Sequence, residues 1–278
     1  MDIVRTGVKR RRTGISLKRC HVRKVLDKVL LLFLVLFLYG NTPGKRPPPG
    51  MVRVPAGFLL YGKDGKKIFL KEFYIDKIEM SAKDYREVNE YFDGPYIFSS
   101  NQECHELWHL YGLDYPASCV RWKDAADTCK KLGKRLPTEM EWEMAARGTD
   151  GRPYPWGSEE PTCSHAVLYN CGYKYAQKAC SKPKGNSPYG ICDMLGNVGE
   201  WVISARDEST RDKHVMKGSS FLFFFLERTG KPYVWVRYTG KGPYWNYPDT
   251  HVGIGVRCVW SKTDHNIKLL PTVKERGF

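Results

Sequence analysis

The sequence predicts an α+β domain, rich in loops and braced by disulfides. Three observations carry this. Helical patterns fall early in the chain, and short strands separated by long Gly- and Pro-containing loops fall late. Eight cysteines follow a basic, apolar leader, an even number that suits a disulfide framework in an exported chain. No internal repeat is evident, and 278 residues suit one large domain or two small ones.

Residues 1–40 read as a basic leader followed by a signal peptide or anchor. The uncharged run 29–39 is short for a bilayer span and suits a signal-peptide core. No clean small-residue cleavage site follows, so a retained anchor stands as the alternative. "NTPGKRPPPG" (41–50) is a stiff, extended linker. The net charge is +15, of which residues 1–28, with ten Lys or Arg and two Asp, supply +8. The rest is a modest excess with acids interspersed. No basic stripe with interleaved aromatics appears, so no nucleic-acid partner is expected.

The domain is expected over residues 51–260. Short strands in "MVRVPAGFLLYG" and "KKIFLKEFYIDKIEM" are separated by Pro55-Ala56-Gly57 and the turn Lys63-Asp64-Gly65. "SAKDYREVNEYF" is a helix with Ser81 as N-cap and Asp84 three positions on. Residues 123–132 form a second helix with Ala125, Ala126, Cys129 and Leu132 on one face, stopped by Gly133. "RLPTEMEWEMAARG" gives the clearest local signal, a capping box between Thr138 and Glu141 and a stop at Gly148. Residues 261–278 are a polar tail.

Several patterns carry no chemistry. "HELWH" (105–109) matches a zinc-hydrolase motif, but Gly112 and Pro116 follow closely and no third ligand is obvious; chance explains it. His214, His251 and His265 lack a nucleophile elbow and are surface or packing residues. In "DMLGNVGEW", Asp193 and Glu200 flank a Gly196-Asn197 turn. Carboxylates and carbonyls converging there suit calcium, while the plainer reading has the carboxylates capping backbone N–H groups.

"RLPTEMEWEMAARG", "YGICDMLGNVGEWV" and "GIGVRCV", in this order, with "MVRVPAG", "FYIDKIEMSAKDY" and "KGSS", resemble the signatures of the formylglycine-generating enzyme family, also called the sulfatase-modifying-factor domain. The resemblance runs from about Met51 to Val259. It implies a loop-rich variant of the C-type-lectin-like fold and a disulfide between Cys129 and Cys258. Proximity then suggests the pairs Cys104 with Cys119, Cys163 with Cys171 and Cys180 with Cys192. The resemblance also implies a structural calcium held by the side chains of Asp193 and Glu200 and the carbonyls of Gly196 and Val198, with Trp201 in the core. A second calcium site of the family is expected to be lost, because Val167 stands where an Asn is required.

The family's oxidase chemistry needs two neighbouring thiols that bind copper. Aligned from Gly218, those positions hold Phe223 and Arg228, and no cysteine occurs between Asp193 and Arg257. Catalytic residues and copper are therefore not expected. A related branch, the iron-dependent sulfoxide synthases, needs a helical partner domain for which this chain has no room before residue 51.

What remains is an aromatic segment, residues 221–247, beginning "FLFFFLER" and continuing through Trp235, Tyr244 and Trp245. Burying all six apolar residues at 221–226 would need cover on both faces. Irregular aromatic loops on a braced scaffold suit recognition. Phe223, Phe225, Trp235, Tyr244 and Trp245 are the expected contacts for a protein or small-molecule ligand. Variable proteins of diversity-generating retroelements use this segment of the same fold, so a diversified binding protein is one subtype. The function expected is an exported, non-catalytic binding domain, periplasmic, secreted or anchored, with membrane contact through the N-terminal segment only. The alternative is a formylglycine-generating oxidase acting on a cysteine of a sulfatase-type substrate.

Overall fold

A computed structural model describes residues 46–62, 64–89, 112–203, 215–222, 238–239 (backbone) and 253–262. The chain divides into a unit ending at Arg46 and a unit from Pro47 to Phe278. The second carries the elements below.

Strands β1 (Met51–Val54) and β4 (Phe73–Asp76) pair antiparallel in the register Met51↔Asp76 to Val54↔Phe73, and β9 (Val259–Trp260) joins the other edge of β4. Between β1 and β4 the chain makes a separate hairpin, β2 (Gly57–Tyr61) with β3 (Lys66–Leu70), turning through Gly65. A third sheet has the order β7-β6-β5-β8, from β5 (Gly199–Val202), β6 (Val215–Lys217), β7 (Tyr238–Thr239) and β8 (Ile254–Gly255). In it β8 runs parallel to β5, and the other pairs are antiparallel.

The helices start where local chemistry supplies acceptors for their free N–H groups. Helix α1 (Ala82–Val88) is capped by Ser81, whose hydroxyl accepts from Asp84 N at 3.0 Å. It is shorter than its sequence pattern suggested. Asn89 closes it, donating from Nδ2 to Tyr85 O and to Thr128 Oγ1 on the next helix. Helix α2 (Trp122–Lys131) begins one residue earlier than expected and ends beside Gly133, whose φ is +68°. Helix α3 (Glu139–Arg147) has the full capping box between Thr138 and Glu141 and stops at Gly148.

Two apolar clusters form the core. Val54, Phe73, Ile75 and Val259 of the first sheet pack with Trp142 and Met144 of α3 and with Ile191 and Met194. Tyr85, Val120, Cys129, Leu136, Trp201, Met216 and Val256 pack between α1, α2 and the third sheet. Trp201 is core as expected, and its Nε1 donates to Val120 O at 2.7 Å.

Disulfides join Cys129 of α2 to Cys258 before β9, Cys163 to Cys171, and Cys180 to Cys192. Cys119 is also disulfide-bonded, and Cys104 lies outside the described residues. The architecture is α+β, with long irregular connections held by these bonds. Among the described residues no helix is long and apolar enough to cross a membrane, and the run 29–39 lies outside them.

Candidate functional site

The irregular chain before β5 is organised by Asn197. Its backbone is left-handed, at φ +57°, a conformation Asn tolerates better than most residues. Its N–H donates to Val167 O, and its carbonyl accepts from Phe221 N at 2.9 Å. Its side-chain oxygen accepts from Gln177 N, while Nδ2 donates to Gln177 O and Glu79 Oε2. One side chain thus ties two segments, at Glu79 and Gln177, to the start of the third sheet. Gly196 beside it has φ +88°, and a Cβ there would sit 2.6 Å from Val167 O, so glycine is required. Val167, fully buried, offers this loop its carbonyl; its apolar side chain packs with Val198 and Phe221.

Below this loop lies a buried charge cluster. Glu200 on β5 is fully buried. Its Oε1 accepts from Arg257 Nε at 2.8 Å and lies 2.7 Å from Arg257 Nη2. Its Oε2 accepts from Arg257 Nε at 2.9 Å and from Trp142 Nε1 at 2.5 Å. Arg257, equally buried, also donates to Asp76 O and Cys192 O. Glu79 accepts from Asn197 Nδ2 at 2.7 Å and Val198 N at 3.1 Å. Asp193, at φ +56°, accepts from Cys180 N at 2.6 Å.

Glu200 is paired with the Arg257 guanidinium, and Glu79 and Asp193 interact with it electrostatically. Burial, and then the charges of Asp193 and Glu200, push the Glu79 carboxyl well above the usual range, against the pull of Arg257. Burial likewise raises Asp193, opposed by the hydrogen bond from Cys180 N and by Arg257. Burial, the largest single influence, would lower the Arg257 guanidinium, but Glu200, Glu79 and Asp193 together hold it above its ordinary value.

This geometry bears on the calcium expectation for Asp193, Gly196, Val198 and Glu200. A carboxylate has about four acceptor positions, and three donor groups, Arg257 Nε shared between the two oxygens, Arg257 Nη2 and Trp142 Nε1, engage both oxygens of Glu200. Asp193 spends one oxygen on a backbone N–H, as the plainer reading of the motif had it. Among the described residues no group of three or more His, Cys, Asp or Glu is placed to hold a metal ion. The residues present do not fit calcium in this packing, and Arg257 stands where the cation was expected to balance Glu200.

The "KGSS" segment is buried throughout. Lys217 Nζ lies 3.0 Å from Glu143 Oε2 on α3, and Glu143 Oε1 accepts from Arg147 and from Gly62 N. Gly218, at φ +99°, passes so close to Trp142 that a Cβ would meet its ring at 3.1 Å. Phe221 then enters the small cluster of Val167, Ala176 and Val198, so the aromatic segment starts as core rather than as surface. Leu222 is partly buried against the same cluster. Phe223, Phe225, Arg228, Trp235, Tyr244 and Trp245 lie outside the described residues, as do His105 and His109.

Sequence reasoning singled out Asp193 and Glu200 but missed Glu79, Asn197 and Arg257 as their partners. It had one signal available: Arg257 sits among apolar residues next to Cys258, a place where a charge needs a buried counter-ion.

Residues 40–262 match the model of the sulfatase-modifying factor enzyme 1-like domain. The chain is similar to inactive C-alpha-formylglycine-generating enzyme 2 of Mus musculus, 28% identical over 260 residues, covering 71% of this chain and 82% of that protein. It is similar to the formylglycine-generating enzyme of Bos taurus, 27% identical over 309 residues, covering 84% and 79%. PvdO from Pseudomonas aeruginosa shares the fold at a TM-score of 0.55 and 21% identity, over 77% of this chain and 99% of that one. The chain therefore belongs to the sulfatase-modifying factor enzyme 1-like domain family.

Proposed function

We propose that this chain is a non-catalytic member of its family, exported, that binds a protein or small ligand through the aromatic segment 221–247. One observation carries the first part. Oxidation of a cysteine by the family's copper route needs two neighbouring thiols after "KGSS", and no cysteine occurs between Asp193 and Arg257. The cysteines that do lie in the described domain are bonded to one another or, for Cys119, bonded elsewhere. A relative named inactive supports the same reading. The disulfides suit an oxidising compartment and so support export.

The binding part rests on composition. Trp235, Tyr244 and Trp245 stand among Gly and Pro in a segment entered from a rigid core at Phe221. Large rings on a braced frame offer contact area at low entropic cost. Titration of the Cys20→Ser protein with copper(I) should show no thiolate-to-copper absorption. Saturable binding of one copper per chain would overturn the reading. Replacing Trp235 or Trp245 by Ala should abolish ligand capture while leaving thermal unfolding unchanged. Unaltered capture by both variants would remove those residues from the site.

A further inference from the structure

The described disulfides differ in their access to solvent. In Cys163–Cys171 the first cysteine is exposed and the second half-buried. Cys129 and Cys258 are fully buried, and Cys180 is bonded to a buried partner, Cys192. An exposed disulfide can be reached by a small thiol in the folded protein, whereas a buried one needs local unfolding first.

The exposed bond closes a loop that no strand or α-helix enters, and the loop's backbone bonds are local: His165 N and Ala166 N donate to Thr162 O, and Cys171 N donates to Leu168 O. Its middle turns inward. Ala166, Val167 and Leu168 are buried and wrap the Gly196-Asn197 turn. A Cβ on Gly196 would stand 3.2 Å from Ala166 Cβ and 3.2 Å from a Leu168 methyl group. Val167 O accepts from Asn197 N at 2.8 Å, and Asn197 O accepts in turn from Phe221 N at 2.9 Å. The Val167 side chain packs with Val198 and Phe221. Contacts therefore run without a break from a solvent-facing disulfide to the residue on which the aromatic segment starts. Closing a short ring restricts a loop that has few long-range bonds of its own, and opening it returns that freedom.

We infer that Cys163–Cys171 is a thiol-exchange site, and that its opening by a small reducing thiol loosens the Asn197 turn and the entry of Phe221 while the domain stays folded. The thiolate of the small molecule attacks Cys163, the more exposed partner. A mixed disulfide forms at Cys163, the bond to Cys171 breaks, and Cys171 leaves as a thiolate that takes a proton from water. A second small thiol displaces Cys163. Two small thiols are thereby oxidised to one disulfide, and the protein bond is reduced to two thiols. Neither this step nor its test rests on the ligand or copper readings above.

The full chain is incubated with reduced glutathione without denaturant. Free thiols are blocked with an alkylating reagent, the remaining bonds are then reduced and blocked with its heavy form, and each cysteine peptide is weighed. Cys163 and Cys171 should be blocked first, several-fold faster than Cys129, Cys258, Cys180 and Cys192. In the protein opened at this bond, amide hydrogen exchange at Asn197 and Phe221 should speed about tenfold or more, with the amides of α3 unchanged. Oxidised glutathione should restore slow exchange. The Cys163→Ser/Cys171→Ser variant should exchange fast from the outset and ignore the thiol; should it fail to fold, the reversible cycle on the unaltered chain carries the test. Opening of all these bonds at one rate would overturn the inference. So would opening of Cys163–Cys171 that leaves exchange at Asn197 and Phe221 as it was.

Discussion

Replacing Arg257 with methionine should destabilise the domain by about 3–5 kcal/mol at neutral pH, because it leaves a buried charge without its partner. Arg257 is fully buried and satisfies Glu200, Asp76 O and Cys192 O together. Without it Glu200 keeps only Trp142 Nε1, with the acids Glu79 and Asp193 close enough to oppose its charge. The pH dependence has a definite sign. Glu79 and Asp193 are raised in the folded state, so their share of stability is present below their ordinary carboxylate range and is lost as pH rises through their folded values. Arg257 pulls both down, so removing it should raise them further, and the deficit of the variant should shrink as pH falls from 7 towards 5. Urea unfolding at several pH values measures this. A loss under about 1 kcal/mol at pH 7, in the range of an exposed pair, would mean that the ion pair does not hold the loop.

Converting both Cys129 and Cys258 to alanine should cost a similar amount, about 4–5 kcal/mol. The bond closes a chain of 129 residues, and loop-closure entropy gives about 4.7 kcal/mol for a loop of 100. The bond also pins α2 to β9, the strand that completes the first sheet. The Cys163–Cys171 bond spans eight residues and should matter less, about 2.5–3 kcal/mol when removed in the same way. Thermal or urea unfolding of the two double variants gives the ranking directly. An equal or reversed order would show that the long bond is not what fixes the two ends of the domain.

Features set within a few residues were legible in the sequence. Ser81 with Asp84 and Thr138 with Glu141 announce helix starts because cap and N–H lie three positions apart. The strands β1 to β4 were legible for the same reason, since turn residues separate them. The site was legible only in part. Asp193 and Glu200 stood out as paired carboxylates, but their partners come from Glu79, 118 residues before Asn197, and Arg257, 57 residues after Glu200. A carboxylate pattern alone does not tell a metal ion from a guanidinium, because both satisfy the same oxygens. Phe221 shows the converse. The apolar run was plain, but its first residue turns inward because its N–H is held by Asn197 O, a contact across 24 positions that no period reveals.

The absence of a neighbouring thiol pair is the central claim, and one incubation tests it. The purified chain is mixed with a peptide carrying the cysteine of a sulfatase-type substrate, with oxygen, a reducing thiol and copper, and the peptide mass is followed. The mass of the peptide should not change, with copper or without it. Conversion of the cysteine to an aldehyde, in step with the amount of protein added, would contradict it.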